Sequence, residues 1–229
     1  EMLRLAPNLQ AYQTNPGKWV VSARGLNGNQ TAQSYSNKLL VLIDGRTVYT
    51  PLFSGVYWDL PDVLPDDVDR IEVISGPGAT LWGANAVNGV INIITRRASE
   101  TKGFYADLRA GPDRQALGAR ISGQAGDKLS YEIHGRYLHE QRDFVDAAGT
   151  SADDGWRHGE AGARLDWTPN DANLLTLQGD IFRGHDDTAA GAEKVSGGDA
   201  MLRWNRQLSS GGEIQAQAYY DRIGRDDRN

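Results

Sequence analysis

From about residue 98 onward the chain alternates apolar and polar positions with period two. Phe104, Ala106, Leu108 and Ala110 alternate with Tyr105, Asp107 and Arg109. Leu117, Ala119, Ile121 and Gly123 alternate with Gly118, Arg120, Ser122 and Gln124, and Leu129, Tyr131, Ile133, Gly135 and Tyr137 with Ser130, Glu132, His134 and Arg136. The pattern recurs in Ala161–Trp167, in Leu175–Ile181, in Ala200–Trp204 and in Ile214–Tyr220. Period-two alternation is the mark of β-strands with two chemically different faces. About seven such segments are expected, each near the ~9–11 residues that cross a bilayer as a tilted strand. Short turns (Gly111-Pro112-Asp113, Gly126-Asp127, Pro169-Asn170-Asp171, Ser209–Gly212) trade with longer polar loops, expected at Glu140–Arg157 and Gly184–Gly198.

Alternation of this kind suits a membrane barrel and a soluble sandwich equally well, because both separate an apolar from a polar face. The apolar face is light, with many alanines and glycines among the leucines, and Phe104, Tyr137, Trp167, Trp204 and Tyr220 lie near segment ends, as interfacial aromatics do.

Residues 1–97 read differently, as a small α/β domain. Leu3, Leu5 and Leu9 suggest the end of an amphipathic helix, which Pro7 interrupts. Trp19–Arg24 and Lys38–Ile43 read as strands, the second closed by an Asp44-Gly45 turn. Leu60–Asp69 reads as a short helical connector broken by Pro61 and Pro65. The densest stretch is Val68–Arg97, VDRIEVISGPGATLWGANAVNGVINIITRR, which predicts strand, glycine-proline turn, short helical turn and strand.

Composition narrows the possibilities. The 229 residues carry a net charge of −6 and no cysteine, so disulfides and thiolate metal sites are excluded. Residues 1–99 are balanced, with 8 basic and 8 acidic side chains, so the acidic excess lies wholly in the second part. That argues against nucleic acid as a partner. No apolar run approaches the roughly 20 residues of a transmembrane helix, and the opening EMLRLAPNLQ does not read as a signal peptide. Neither point bears on membrane β-strands.

The glycines of GPGATLWG invite a phosphate-binding reading. Gly76, Gly78 and Gly83 miss the G-x-G-x-x-G spacing, and no Gly-Lys-Ser/Thr follows, so a nucleotide-dependent enzyme finds no support. His134, His139, His158 and His185 are scattered, without a metal-ligand spacing, and His134 falls on the polar face, where a solvated histidine is the default reading. Asp153-Asp154 and Asp186-Asp187 read as solvated loop charge. No catalytic residue, cofactor or metal site is expected.

The stretch IEVISGPGATLWGANAVNGVINIIT resembles the plug signature of TonB-dependent outer-membrane receptors almost position by position. SARG at Ser22–Gly25 and LLVLIDGRTV at Leu39–Val48 match two further plug segments in order. The signature residues are Arg24, Gly25, Asp44, Gly45, Arg70, Glu72, Gly76, Pro77, Gly78, Gly83, Asn85, Gly89 and Asn92. Ser75 stands where the family usually has arginine, so an ionic contact attributed to that arginine does not carry over. Trp82 replaces a more usual tyrosine.

The resemblance implies an α+β plug domain over residues 1–97, its N-terminal part and TonB box missing. Antiparallel transmembrane β-barrel strands would follow over 98–229, about the first seven of a 22-stranded outer-membrane barrel that is incomplete here. It implies energy-coupled uptake of a scarce solute, such as a ferric siderophore, cobalamin or haem, in the outer membrane of a Gram-negative bacterium. The implied partners are TonB, through the missing segment, a metal-chelate or similar small solute, and outer-membrane lipid and lipopolysaccharide. Two plug loops are then expected to face solute, at Gln13–Lys18 and Thr47–Trp58, with Thr14, Asn15, Tyr49, Phe53, Ser54, Tyr57 and Trp58 as candidate contacts. Asn27–Gln33 would face the periplasm. The competing reading is a soluble α/β domain joined to a β-sandwich that binds carbohydrate or protein.

Overall fold

The computed structural model describes residues 2–15, 17–23, 35–36, 38–50, 55–58, 63–141, 155–188 and 191–227. Two compact units divide the chain, Glu1–Thr95 and Arg96–Asn229, two residues before the boundary expected at 97.

The first unit opens with a 3-10 turn at Met2–Leu5 in place of the expected helix end. Strand β1 (Leu9–Asn15) follows and pairs antiparallel with β2 (Lys18–Ala23). Short strands β3 (Tyr35–Ser36) and β6 (Val56–Tyr57) pair with each other. A four-stranded sheet holds β5 (Arg46–Thr47), β4 (Leu39–Ile43), β8 (Gly89–Thr95) and β7 (Val68–Ser75), in that spatial order. β4 and β8 run parallel at its centre, and the outer pairs are antiparallel.

All five residues of β4 are buried, as a central strand covered on both faces requires. Leu39 and Val41 join Val21, Ala23, Val56 and Ile91 in one core cluster, while Leu40 and Leu42 join Ala86 and Val90 in another. The β4–β5 hairpin pairs Leu42 with Thr47 and Ile43 with Arg46, leaving Asp44 and Gly45 as its two-residue turn. Both have positive φ, 50° and 75°, the conformation that favours Asp-Gly in tight hairpins. The connector before β7 is a 3-10 turn, Pro65–Asp67, and the predicted helical turn of the signature is α1 (Ala79–Trp82).

The second unit is one seven-stranded antiparallel sheet in sequence order. Its strands are β9 (Gly103–Ala110), β10 (Arg114–Ala125), β11 (Leu129–Gln141), β12 (Gly155–Asn170), β13 (Asn173–Thr188), β14 (Gly191–Gln207) and β15 (Glu213–Asp227). The long loop expected at Gly184–Gly198 is instead the top of the β13–β14 hairpin, with Thr188 paired to Gly191. Its glycines accommodate packing: a Cβ on Gly184 would lie 2.6 Å from Val195 Cγ1, and one on Gly197 2.7 Å from the Phe182 ring. The loop expected at Glu140–Arg157 lies mostly at 142–154, outside the described residues.

Register carries each face unbroken from strand to strand. Phe104, Ile121, Ile133, Ala163, Gly179, Ala200 and Tyr220 stand opposite one another in one row of the apolar face. That face is the exposed one: Phe104 is 75% accessible, Leu108 77% and Ile181 69%. The polar face is where burial occurs, at Arg120, Ser122, Glu132, His158, Glu160, Arg164, Asp166 and Thr176 among others. A soluble sandwich buries its apolar face, so this sheet has the polarity of a wall whose outer side meets hydrocarbon. Among the described residues no helix is long and apolar enough to cross a membrane, which leaves strands untouched by that criterion.

Candidate functional site

The signature of the first unit is held by its own hydrogen bonds. Gly76 N–H donates to the Asn88 carbonyl at 3.1 Å and Gly78 N–H to the Ala86 carbonyl at 2.9 Å, and Gly83 N–H closes α1 on the Ala79 carbonyl. These amides are spent within the loop, which removes the phosphate cradle on structural grounds as well. Gly89 is required by close approach, since a Cβ there would lie 2.6 Å from the Ile74 carbonyl oxygen. Asn85 takes the left-handed conformation at φ 70°, and Pro77 is exposed.

Asp44 is buried at 4% and accepts from Thr95 twice, from the backbone N–H at 2.9 Å and from Oγ1 at 2.6 Å. This ties the β4–β5 turn to the end of β8, 51 positions away. On the same sheet Glu72 accepts from Arg70 Nε at 2.9 Å and from Asn92 Nδ2 at 3.2 Å. The Arg70 hydrogen bond, and then that of Asn92, hold the Glu72 carboxyl below its ordinary value. Arg70 is raised in turn by Glu72 and Asp69.

The expected solute-facing positions are distributed unevenly. Thr14 and Asn15 fall within β1, whose last residue pairs with Lys18, so the loop expected at Gln13–Lys18 shrinks to residues 16–17. Tyr49 and Trp58 are partly buried and pack on the core cluster around Val41 and Ile91. Tyr57 pairs in β6 with Tyr35. Arg24, Gly25, Phe53, Ser54 and the segment Asn27–Gln33 lie outside the described residues.

On the second unit the polar face carries a connected network. Asp166 accepts from Ala98 N–H at 2.9 Å, Arg164 Nε at 2.9 Å and Thr176 Oγ1 at 2.7 Å. Glu132 accepts from Thr101 Oγ1 at 2.7 Å. Next along the face, His134 Nε2 donates to Asp180 Oδ1 at 2.9 Å, and Glu132 Oε1 stands 3.7 Å from His134 Nδ1. His134, Glu160 and Asp180 each offer one ligand atom, all within 4.8 Å of one another. Above them His158, fully buried, lies between Trp156 and Phe182 with ring centroids 5.4 and 6.1 Å away. Reading histidine spacing along the chain missed this group, because its members come from three different strands. The one signal was parity: all three occupy the polar face of their segments.

Residues 1–90 match the family model described as TonB-dependent Receptor Plug Domain. Over 191 residues the chain is 30% identical to a probable TonB-dependent siderophore receptor, PirA, of Acinetobacter baumannii, covering 71% of this chain and 25% of that protein. It is 31% identical over 117 residues to the vitamin B12 transporter BtuB of Vibrio vulnificus, covering 50% of this chain and 18% of that protein. Among solved structures, the copper transporter OprC superimposes on 96% of this chain and 34% of its own length with a TM-score of 0.74 at 21% identity, a likeness of fold. The chain thus spans a quarter or less of the curated relatives it matches.

Proposed function

The chain belongs to the TonB-dependent receptor family, and on that premise we propose that it serves in energy-coupled uptake of a scarce solute across the outer membrane of a Gram-negative bacterium. A ferric siderophore, cobalamin or haem is the class of solute; the names of its relatives support the first two. Residues 1–97 act as the plug and 98–229 as the first strands of the barrel wall. TonB couples energy through a segment N-terminal to the plug. Outer-membrane lipid and lipopolysaccharide surround the exposed apolar face. The protein performs no chemistry on its cargo; its work is binding and gating.

The observation that carries this reading is the polarity of the sheet that follows the plug. An exposed row such as Phe104, Ile121 and Ile133, set against a buried polar face, is stable beside lipid and costly beside water. The same observation weighs against the soluble sandwich. For solute contact, Thr14, Asn15 and the segment 47–58 remain the proposed positions. Tyr49 and Trp58 pack on the core, so stacking on cargo falls to Phe53 and Tyr57, beside Ser54.

The test uses the full-length protein in cells with and without a working TonB. Uptake of a labelled ferric siderophore or cobalamin that requires both the protein and TonB supports the proposal. A full-length protein that is monomeric and soluble without detergent or lipid overturns it.

A further inference from the structure

We infer that His134, Glu160 and Asp180 form a binding site for one divalent first-row transition-metal ion, of the Zn2+ class, on the polar face of the β11–β13 sheet. The inference goes beyond the transport reading and needs no particular cargo.

Three features argue for it. The donor set is one imidazole and two carboxylates, with ligand atoms already within 4.8 Å of one another. Imidazole selects a borderline ion over Ca2+ or Mg2+, which take oxygen ligands in larger number. The backbone lets the two ligands meet, because a Cβ on Gly162, between His134 and Asp180, would overlap Asp180 Oδ1 and sit 2.7 Å from His134 Nε2. A residue with a side chain at 162 would push the ligands apart.

The surroundings also suit a metal. Glu132 Oε1 lies 3.7 Å from His134 Nδ1, and a shift of a few tenths of an ångström makes the carboxylate–histidine–metal relay that fixes Nε2 as the ligand atom. Thr101 holds the other Glu132 oxygen. Independently, the His158 side chain is fully buried, neither ring nitrogen has a hydrogen-bond partner, and its Nε2 stands 3.6 Å from Glu160 Oε2. A buried ring nitrogen without a partner is an unsatisfied polar group, and this ring brings its Nε2 to the edge of the ligand cluster. Arg120 stands opposite His134 in register and Arg136 opposite Glu160, so positive charge already balances part of the acid. Binding exchanges the Nε2 proton for the ion and releases it to solvent, and the Asp180 hydrogen bond becomes a coordination bond.

The experiment uses the full-length protein in detergent, stripped with EDTA, titrated with ZnCl2 by calorimetry and with CoCl2 by visible absorption. Expected are saturable one-to-one binding, d–d bands from Co2+ in the unsubstituted protein, and affinity in His134→Gln and Asp180→Asn reduced by more than the roughly 10- to 100-fold that loss of a group merely supporting a ligand costs. His139→Gln, on the opposite face, should bind as the unsubstituted protein does. Absence of saturable binding overturns the inference, as does undiminished binding in both variants. Folding of the variants is followed by heat-modifiable gel mobility. Should neither fold, the Co2+ spectrum of the unsubstituted protein decides, and a spectrum identical to aqueous Co2+ rejects the site.

Discussion

His134 on β11 and Asp180 on β13 join at 2.9 Å across the intervening strand, directly over the Cα of Gly162 on β12. Register puts all three in one row of the polar face, so the contact exists only because the middle position lacks a side chain. Gly162→Ala should therefore force the pair apart and cost about 1–3 kcal/mol as an overpacked site. Thermal unfolding of the full-length protein in detergent measures this; an unchanged midpoint would mean that the strands shift to absorb the methyl group.

The exposed apolar face makes a depth-dependent forecast. Leu177 lies in the middle of β13 and is 49% exposed, whereas Gln115 faces the same way at the end of β10. Leu177→Arg should destabilise insertion by about 2–4 kcal/mol, and Gln115→Arg by about 0–1 kcal/mol. Denaturant titration in lipid vesicles compares them, and equal costs would contradict a membrane face.

Asp44→Ala removes both acceptors of Thr95, leaving its N–H and hydroxyl without those partners, and places alanine at φ 50°. The expected loss is about 1–3 kcal/mol. Asp44→Asn should lose less, because it keeps one acceptor oxygen and tolerates the left-handed region. Urea melts of the three proteins rank them; a neutral Asp44→Ala would show that the clamp contributes nothing.

The Glu72 carboxyl is held below its ordinary value, so it contributes stability above the unfolded-state value of about 4.3 and loses it as pH falls through the lower folded value. The pair is substantially exposed, which keeps the effect small. Stability measured from pH 6 down to pH 3 should fall less steeply in Glu72→Gln than in the parent. Parallel curves would assign the acid sensitivity elsewhere.

The parts of this fold that were readable without coordinates are those written in local chemistry. Period-two alternation identified the strands and the parity of their faces, and Asp44-Gly45 announced its turn because few other pairs accept two positive φ values. The top of the β13–β14 hairpin was misread because Gly184, Gly197 and Gly198 look like loop residues. All three are small because neighbours occupy the space beside them: Val195 at Gly184, the Arg222 carbonyl and the Phe182 ring at Gly197, and the Asp180 carbonyl at Gly198. Strand β1 alternates only weakly, with Leu9 and Ala11 on the core side of Gln10 and the exposed Tyr12, and Leu9 also fits the helical spacing of Leu3 and Leu5. The His134, Glu160 and Asp180 cluster was invisible for a different reason. Cross-strand register is a long-range property, and no spacing along the chain encodes which residues three strands will bring together.

The strand pairing of the first unit also sets an order of mechanical failure. A pull applied at the N-terminus meets the β1–β2 hairpin first, where antiparallel bonds load one after another and part like a zip. The parallel β4–β8 pair is stretched along its length, so its bonds share the load, and the Thr95–Asp44 clamp adds two more at its far end. Force should therefore peel the first two strands away at low tension while the four-stranded sheet stays whole.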